Sequence, residues 1–152
     1  MVDLARQFFA ETIAAPGITI ATDQPARLFL VAGRDLAPNT ATGNDPVALW
    51  LAPNRRLLVA ETNIPPPDAP FASDITDGLI RITLAGPRLA DLCAMATSLD
   101  PALLTAGRCA QTQWAGVKLL LHPTTDGLHL YVERPLAPWL LDWFRAAVTA
   151  FA

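Results

Sequence analysis

Residues 107–116 bring a cysteine, an arginine and two glutamines close together in the chain. Cys109 could be a nucleophile, because a nearby cation lowers the pKa of a thiol and favours the reactive thiolate. Arg108 is adjacent, but neighbouring side chains in a strand point to opposite faces, so adjacency alone does not bring the guanidinium to the sulfur. We therefore expect Cys109 to be a small buried hydrophobic residue, the usual state of a free cysteine, and Cys93 likewise.

The polar residues that follow have two interpretations. Gln111 and Thr112 could satisfy nearby backbone groups, as such side chains commonly do at turns. Alternatively, together with Arg108 and Trp114, they could contact another subunit, because Arg and Trp are enriched in protein interfaces. The sequence leaves both interpretations open.

The two histidines, His122 and His129, flank a predicted turn at residues 124–127 and could approach each other across a hairpin. A structural zinc site needs four ligands at characteristic spacings, and this chain has two histidines and two cysteines without a Cys-x-x-Cys pair. We therefore predict no metal-binding residues, and expect both histidines to be polar residues at a sheet edge.

Asp74, Asp77 and Asp91 could be proposed as acid–base groups. Isolated carboxylates are more often solvated or capping groups, and the chain contains no Gly-rich phosphate-binding motif. We predict no catalytic and no cofactor-binding residues.

Composition excludes several classes of protein. The 152 residues are 52% hydrophobic and 16% charged, with a net charge of −3 and no run of Lys or Arg, so a nucleic-acid-binding surface is not expected. The apolar C-terminal segment is interrupted by Asp142 and Arg145 and is too short for a membrane span. The N-terminal segment lacks the apolar core of a signal peptide. We expect reduced thiols and a cytoplasmic location.

The periodicity of apolar residues predicts an α+β protein of two similar halves, with antiparallel or mixed sheets covered on one face by helices. We predict an N-terminal lobe at residues 1–63, a Pro-rich connector at 64–73 and a C-terminal lobe at 74–152. The predicted helices are at residues 3–14, 24–33, 87–96 and 136–151, the last with Trp139 and Trp143 on its buried side. The predicted strands are at residues 18–22, 47–51, 56–60, 79–85, 110–114, 117–121 and 128–133.

Several short motifs occur together in one order. They are Pro-Asn-Thr at 38–40, Ala-Leu-Trp-Leu-Ala-Pro at 48–53, Leu-Ala-Gly-Pro-Arg-Leu-Ala-Asp-Leu at 84–92, Ser-Leu-Asp at 98–100, Gly-Arg-Cys-Ala-Gln-Thr at 107–112 and Trp-Leu-Leu-Asp-Trp at 139–143. In these motifs the chain resembles the gamma subunit of heterotetrameric sarcosine oxidase, over roughly residues 36–152. It departs from that family at 52–56, where Ala-Pro-Asn-Arg-Arg replaces a corner with acidic and aromatic residues.

The resemblance implies a place in the glycine-cleavage T-protein and folate-binding-like superfamily, and with it a fold of two small ferredoxin-like lobes. It implies a non-catalytic gamma-type subunit of an oxidoreductase complex for sarcosine catabolism, with alpha, beta and delta subunits as partners, packed against the folate-binding region of the alpha subunit. The complex is expected to use FAD, FMN, NAD, tetrahydrofolate and zinc in its other subunits and none in this chain. The candidate partner-contact or family-motif residues are Arg108, Cys109, Gln111, Thr112, Trp114 and Trp50. The alternatives are a stand-alone folate-binding or one-carbon module and a homo-oligomeric structural module.

Overall fold

The structure, a computed structural model, describes residues 11–33, 35–100 and 103–152. Two antiparallel sheets account for most of this part of the chain, and two short helices cover one of them. The predicted α+β class, with antiparallel sheets, is confirmed.

The first sheet has six strands: β1 (Thr12–Ala15), β2 (Ile18–Asp23), β8 (Leu79–Ala85), β9 (Ala110–Trp114), β10 (Val117–Pro123) and β11 (Leu128–Glu133). They lie in the spatial order β1-β2-β8-β11-β10-β9, each antiparallel to its neighbour. Alternation of apolar and polar residues gives the sheet two different faces. On β8, Ile80, Ile82 and Leu84 face the helices, so Arg81 and Thr83 face the other way.

Two helices cover the first face, α1 (Leu89–Ala96) and α2 (Ala137–Ala147). Short 3₁₀ turns lie at Thr76–Gly78, Arg134–Leu136 and Val148–Phe151. Leu140, Phe144 and Ala147 of α2 repeat at helical spacing and pack against the apolar side chains of the sheet, forming the main core. None of the helices in the described ranges is long and apolar enough to cross a membrane.

The second sheet has five strands: β3 (Arg27–Ala32), β4 (Ala41–Thr42), β5 (Val47–Ala52), β6 (Arg55–Ala60) and β7 (Phe71–Asp74), in the order β4-β5-β6-β3-β7. Its inner face, with Leu28, Leu49 and Leu57, packs on Leu120 and Tyr131 of the first sheet. Its outer face, with Phe29, Val31 and Leu58, packs against Ile64, Ala69 and Ala72. The Pro-rich segment therefore covers the second sheet.

Two predicted helices are wrong. Residues 24–33 contain strand β3, because Leu28 faces the first sheet while Phe29 faces the Pro-rich segment. A strand buried on both faces has a continuous apolar run that resembles a buried helix. The helix predicted at 3–14 is also wrong at its end, where Thr12–Ala15 form β1. Residues 3–10 of that prediction lie outside the described residues.

Strand pairing crosses the predicted connector. β2 precedes it but pairs with β8, and β7 pairs with β3. The alternating apolar residues of β2, Ile18 and Ile20, pack in the core beneath the helices. Their burial stabilises this N-terminal strand in the sheet formed by the second half of the chain. The predicted connector at 64–73 therefore divides the sequence, but the two sheets do not correspond to the segments on either side of it.

Candidate functional site

The segment that leads into β9 joins the edges of the two sheets. Arg108 is exposed and forms an isolated bridge with Thr40, and the carbonyl oxygen of Gly107 accepts a hydrogen bond from the amide of Ala41 at 2.9 Å. The amide of Cys109 donates to Asn39 at 3.0 Å. These bonds hold the loop before β4 against the start of β9.

Cys109 has no exposed surface and lies in the core between the two sheets. Its Sγ lies 3.3 Å from the carbonyl oxygen of Thr40 and 3.5 Å from that of Trp50. Burial raises the pKa of the Cys109 thiol to about 11. Burial also raises the pKa of Cys93 to about 11. Both side chains are therefore thiols near neutral pH, which confirms their assignment to the core and does not suit a nucleophile.

Gln111 and Thr112 bond within the chain. The side-chain amide of Gln111 donates to the carbonyl oxygen of Leu51 at 2.5 Å, adding a further link between the sheets. The hydroxyl of Thr112 lies 3.4 Å from that of Thr97, beyond the end of α1. Both contacts match the structural interpretation, although Gln111 remains exposed.

Trp114 is 0% exposed and packs against Trp143 and Phe144 of α2, with ring centroids 6.2 and 5.9 Å away. It is a core residue of the helical side and is not available to a partner. Trp50 is partly buried and packs against the core between the sheets. Of the predicted contact residues, Arg108 and Gln111 are exposed. They lie in the segment that joins the edges of the two sheets, residues 107–111, which we call the seam.

The predicted burial of Trp139 is wrong, because its side chain is 52% exposed. Leu140, Phe144 and Ala147 face the sheet, and the 3.6-residue turn places position 139 about 100° around α2 from that face. Leu136, one turn earlier, is also exposed. Together they form an apolar surface at the start of α2, which we call the α2 patch (Leu136 and Trp139).

A polar cluster lies between the sheets, on the face of the first sheet away from the helices. Arg81 donates bidentately to Asp23, at 2.8 and 2.6 Å, and also pairs with Glu61 just after β6. Burial disfavours the guanidinium cation, but the hydrogen bonds that it donates to Asp23 and Glu61 outweigh this effect and raise the pKa of Arg81. The guanidinium stays charged and links the two sheets.

The two histidines belong to this cluster. Their Cα atoms are register partners in the β10–β11 hairpin, and their ring centroids are 5.8 Å apart, so the predicted approach across the hairpin is confirmed. Burial, aided by the positive charges nearby, lowers the pKa of His122 to about 4. Burial also lowers the pKa of His129. Both rings are therefore neutral near pH 7. They are half-buried on two inner strands of the six-stranded sheet, not at its edge as predicted.

Tyr131 lies beside His129, with ring centroids 6.3 Å apart. Burial raises the pKa of its phenol to about 12, which the nearby Arg81 cation opposes. Neither the Tyr131 hydroxyl nor Nδ1 of His122 has a hydrogen-bond partner among the described residues. The sequence pointed to the two histidines as polar residues that could approach each other, but not to Arg81, Glu61 or Tyr131. The one local signal was in β8, where Arg81 alternates with isoleucines and so lies on the face away from the helices.

The three aspartates weighed as acid–base groups lie apart from this cluster. Asp74 accepts hydrogen bonds from the amide and hydroxyl of Thr76, which lower its pKa and stabilise the turn after β7. Asp91 pairs with Arg88 on the surface. No group of three or more potential metal ligands occurs within residues 11–33, 35–100 and 103–152.

Comparison with protein-family models finds no match for this chain. No curated protein matches it either. Among solved structures, a chain of the heterotetrameric sarcosine oxidase from Corynebacterium sp. U-96, in complex with pyrrole 2-carboxylate, has the same fold. The two chains are 20% identical, and the superposition covers 97% of this chain and 92% of that chain with a TM-score of 0.74. The resemblance drawn from the sequence motifs is confirmed in the fold: this chain is built like a chain of heterotetrameric sarcosine oxidase.

Proposed function

We propose that the chain is a non-catalytic, gamma-type subunit of a sarcosine oxidase-like complex. The observation that carries this proposal is the fold likeness, which extends over nearly the whole of both chains. The motifs at 84–92, 107–112 and 139–143 support it, because they resemble motifs of the gamma subunit of heterotetrameric sarcosine oxidase. The alpha, beta and delta subunits are then its partners, and the flavins, NAD, tetrahydrofolate and zinc belong to those subunits.

The residues of the seam support a structural role. Cys109 and Gln111 contact backbone carbonyl groups of the other sheet, and the thiol of Cys109 is protonated. The family motif thus stabilises the junction of the two sheets. A scaffolding subunit needs a rigid shape and a contact surface, and this arrangement supplies the first.

The α2 patch supplies a contact surface. Tryptophan is enriched where binding energy concentrates in protein interfaces, and Trp139 leaves half of its side chain in solvent in the isolated chain. We propose that Trp139 packs against a partner, with the folate-binding region of the alpha subunit as the expected site. A cytoplasmic location and a part in sarcosine catabolism belong to the same proposal.

Co-expression tests the assembly directly. A tagged chain is produced together with candidate alpha, beta and delta chains from the same genome, purified on the tag and analysed by size-exclusion chromatography. The expected result is one complex that contains all four chains and the flavin absorbance of the beta subunit. A chain that elutes alone under these conditions contradicts the proposal.

Two further measurements on the isolated chain separate the alternatives. Saturable binding of tetrahydrofolate in a calorimetric titration would favour the stand-alone folate-binding module. A stable multimeric native mass, combined with no assembly in co-expression, would favour the homo-oligomeric structural module. We expect no folate binding by the isolated chain.

A further inference from the structure

A cavity of about 350 Å³ lies between the two sheets, beside the turn that joins β10 to β11. Its wall includes Glu61 from the second sheet and three rings from the first, those of His122, His129 and Tyr131. A water molecule occupies about 30 Å³ in the liquid, so the cavity has room for on the order of ten heavy atoms. This is the size of a small metabolite.

Two polar atoms of this region lack partners. Tyr131 is 2% exposed, and its hydroxyl lies near the Arg81 guanidinium but has no partner at hydrogen-bond distance among the described residues. Nδ1 of His122 also has no hydrogen-bond partner among them. Buried polar groups in folded proteins are nearly always paired, and a group left unpaired calls for an explanation such as a bound molecule. Both residues line the same cavity.

Glu61 is the one charged side chain among the described residues that line the cavity, although Arg81 lies close enough to lower the pKa of both histidines. Arg81 carries one positive charge, while its two partners, Asp23 and Glu61, carry two negative charges. The lining residues that the structure describes include no lysine and no arginine, and the two imidazoles are neutral near pH 7. The guanidinium and the two carboxylates together carry one net negative charge, and of the three side chains Glu61 lines the cavity. A ligand in the cavity therefore meets a carboxylate, which disfavours an anion and favours a cation.

The cavity also offers hydrogen-bond acceptors. A carboxylate has about four lone-pair sites, so Glu61 can accept a further bond while it pairs with Arg81. The phenol oxygen of Tyr131 accepts as well, and so does Nδ1 of a neutral His122 protonated at Nε2. An ammonium group is the complement of such a set, because it has N–H donors, one positive charge and no acceptor.

We propose that this cavity binds a small organic ammonium ion, held by Glu61, His122 and Tyr131. The carboxylate supplies the counter-charge, and the imidazole and the phenol accept the remaining N–H groups. The carbon skeleton of the ligand lies against the ring of His129. This proposal does not depend on the proposed function, because it concerns a cavity formed within this chain alone.

Calorimetric titration of the full chain at pH 7.5 tests the proposal. Methylammonium chloride and ethanolammonium chloride are the probes. Sodium acetate serves as the anion, and tetramethylammonium chloride as a cation without N–H donors. We expect saturable binding of at least one probe, with a Kd of about 1 mM or tighter, and no binding of acetate. No binding of either probe, or equal binding of tetramethylammonium, would overturn the proposal.

Substitutions locate the site. Glu61→Gln removes the counter-charge and should weaken binding roughly ten- to a hundredfold, the effect of losing a charge-assisted hydrogen bond. Asp126→Asn is the matched control, because it removes the same charge from an exposed position in the neighbouring turn that does not line the cavity. It should leave the Kd unchanged.

Tyr131→Phe provides a second variant, which leaves the ion pairs of Arg81 intact and should weaken binding several-fold. It keeps the test decisive if Glu61→Gln unfolds the chain, which thermal melting would show. Binding that is unchanged in Tyr131→Phe and in folded Glu61→Gln would place the amine elsewhere and overturn the proposal. Assembly with partner subunits is measured separately, so either proposal can fail without the other.

Discussion

Arg81, at the centre of the six-stranded sheet, forms an ion pair with Glu61, which follows the last residue of β6 in the other sheet. The second contact of this pair joins Nη2 of Arg81 to Oε2 of Glu61 at 3.1 Å. Asp23 of β2 completes the arrangement from within the first sheet. Three distant segments of the chain are therefore linked by one guanidinium.

Arg81 is buried in this cluster and its two carboxylate partners are half-exposed, so removing the cation and removing the carboxylates should change stability by different amounts. The side chain of Arg81 is 7% exposed, whereas those of Asp23 and Glu61 are 51% and 50% exposed. The double substitution Asp23→Asn with Glu61→Gln leaves a buried cation without a counter-charge. It should lower the free energy of unfolding by about 2 kcal/mol or more. Arg81→Met leaves only hydrated carboxylates and should cost about 1 kcal/mol.

Urea unfolding followed by circular dichroism measures both values. Asp91→Asn, which breaks the exposed pair with Arg88, is the control and should change stability by less than about 1 kcal/mol. If Arg81→Met proves the more destabilising of the two changes, the cluster is not held together in the way described.

The half-buried histidines, His122 and His129, should make the protein sensitive to mild acid. Their pKa values lie below the value of about 6.5 in the unfolded chain, and that of His122 is about 4. Between these values the unfolded chain binds more protons than the folded chain, so stability falls as the pH decreases from 6.5 towards 4. The loss by pH 4.5 should be on the order of 2 kcal/mol.

Urea unfolding at a series of pH values tests this dependence, and NMR titration of the two rings assigns it. In a His122→Gln, His129→Gln variant the loss between pH 6.5 and 4.5 should largely disappear. A variant that keeps the full pH dependence would show that other groups cause it.

Two tryptophans should differ sharply in their effect on the isolated chain. Trp114 is fully buried against Trp143 and Phe144, so Trp114→Ala should lower stability by about 3–5 kcal/mol. Trp139→Ala removes a half-exposed ring and should cost less than about 1 kcal/mol. In co-expression, however, Trp139→Ala should reduce recovery of the complex. A comparable loss of stability in both variants would contradict the burial described, and unchanged assembly would exclude the α2 patch as the contact.

Two glycines with positive φ should tolerate alanine to different extents. Gly86 has a φ of 131°, and a Cβ there would overlap the carbonyl oxygen of Gly17, so Gly86→Ala should cost about 3 kcal/mol or more. Gly107 has a φ of 84° with open space around it, so Gly107→Ala adds only backbone strain of about 1 kcal/mol. Thermal unfolding of the two variants measures the difference. Equal effects would mean that the close approach of residues 17 and 86 does not exist in solution.

The thiols should be protected in the folded chain. Cys93 and Cys109 are buried, and burial raises each pKa to about 11. At pH 8 iodoacetamide should leave both unmodified, and both should react once urea unfolds the protein. Mass spectrometry counts the modified sites. Rapid modification of Cys109 in the native protein would restore it as a candidate nucleophile.

Much of the local structure followed from the sequence because periodicity reports local geometry. Alternation at residues 79–85 and 128–133 predicted β8 and β11, and the link at residues 52–55 predicted the β5–β6 hairpin, where Asn54 has a φ of 63°. Periodicity failed at residues 27–32, where a strand is buried on both faces and has no alternation to detect. It also failed for Trp139, because helical spacing does not say which side of a helix meets the sheet.

The sequence by itself determined the α+β class, most of the strands, the burial of both thiols and the resemblance to a sarcosine oxidase subunit. These depend on neighbouring residues and on short motifs, which are visible in one dimension. Only the tertiary structure decided that β2 joins the sheet of the second half, that Arg81 pairs with Glu61, and that Glu61, His122 and Tyr131 meet around one cavity. Antiparallel pairing between distant segments brings those residues together, and the chain carries no local signal of which strands will become neighbours.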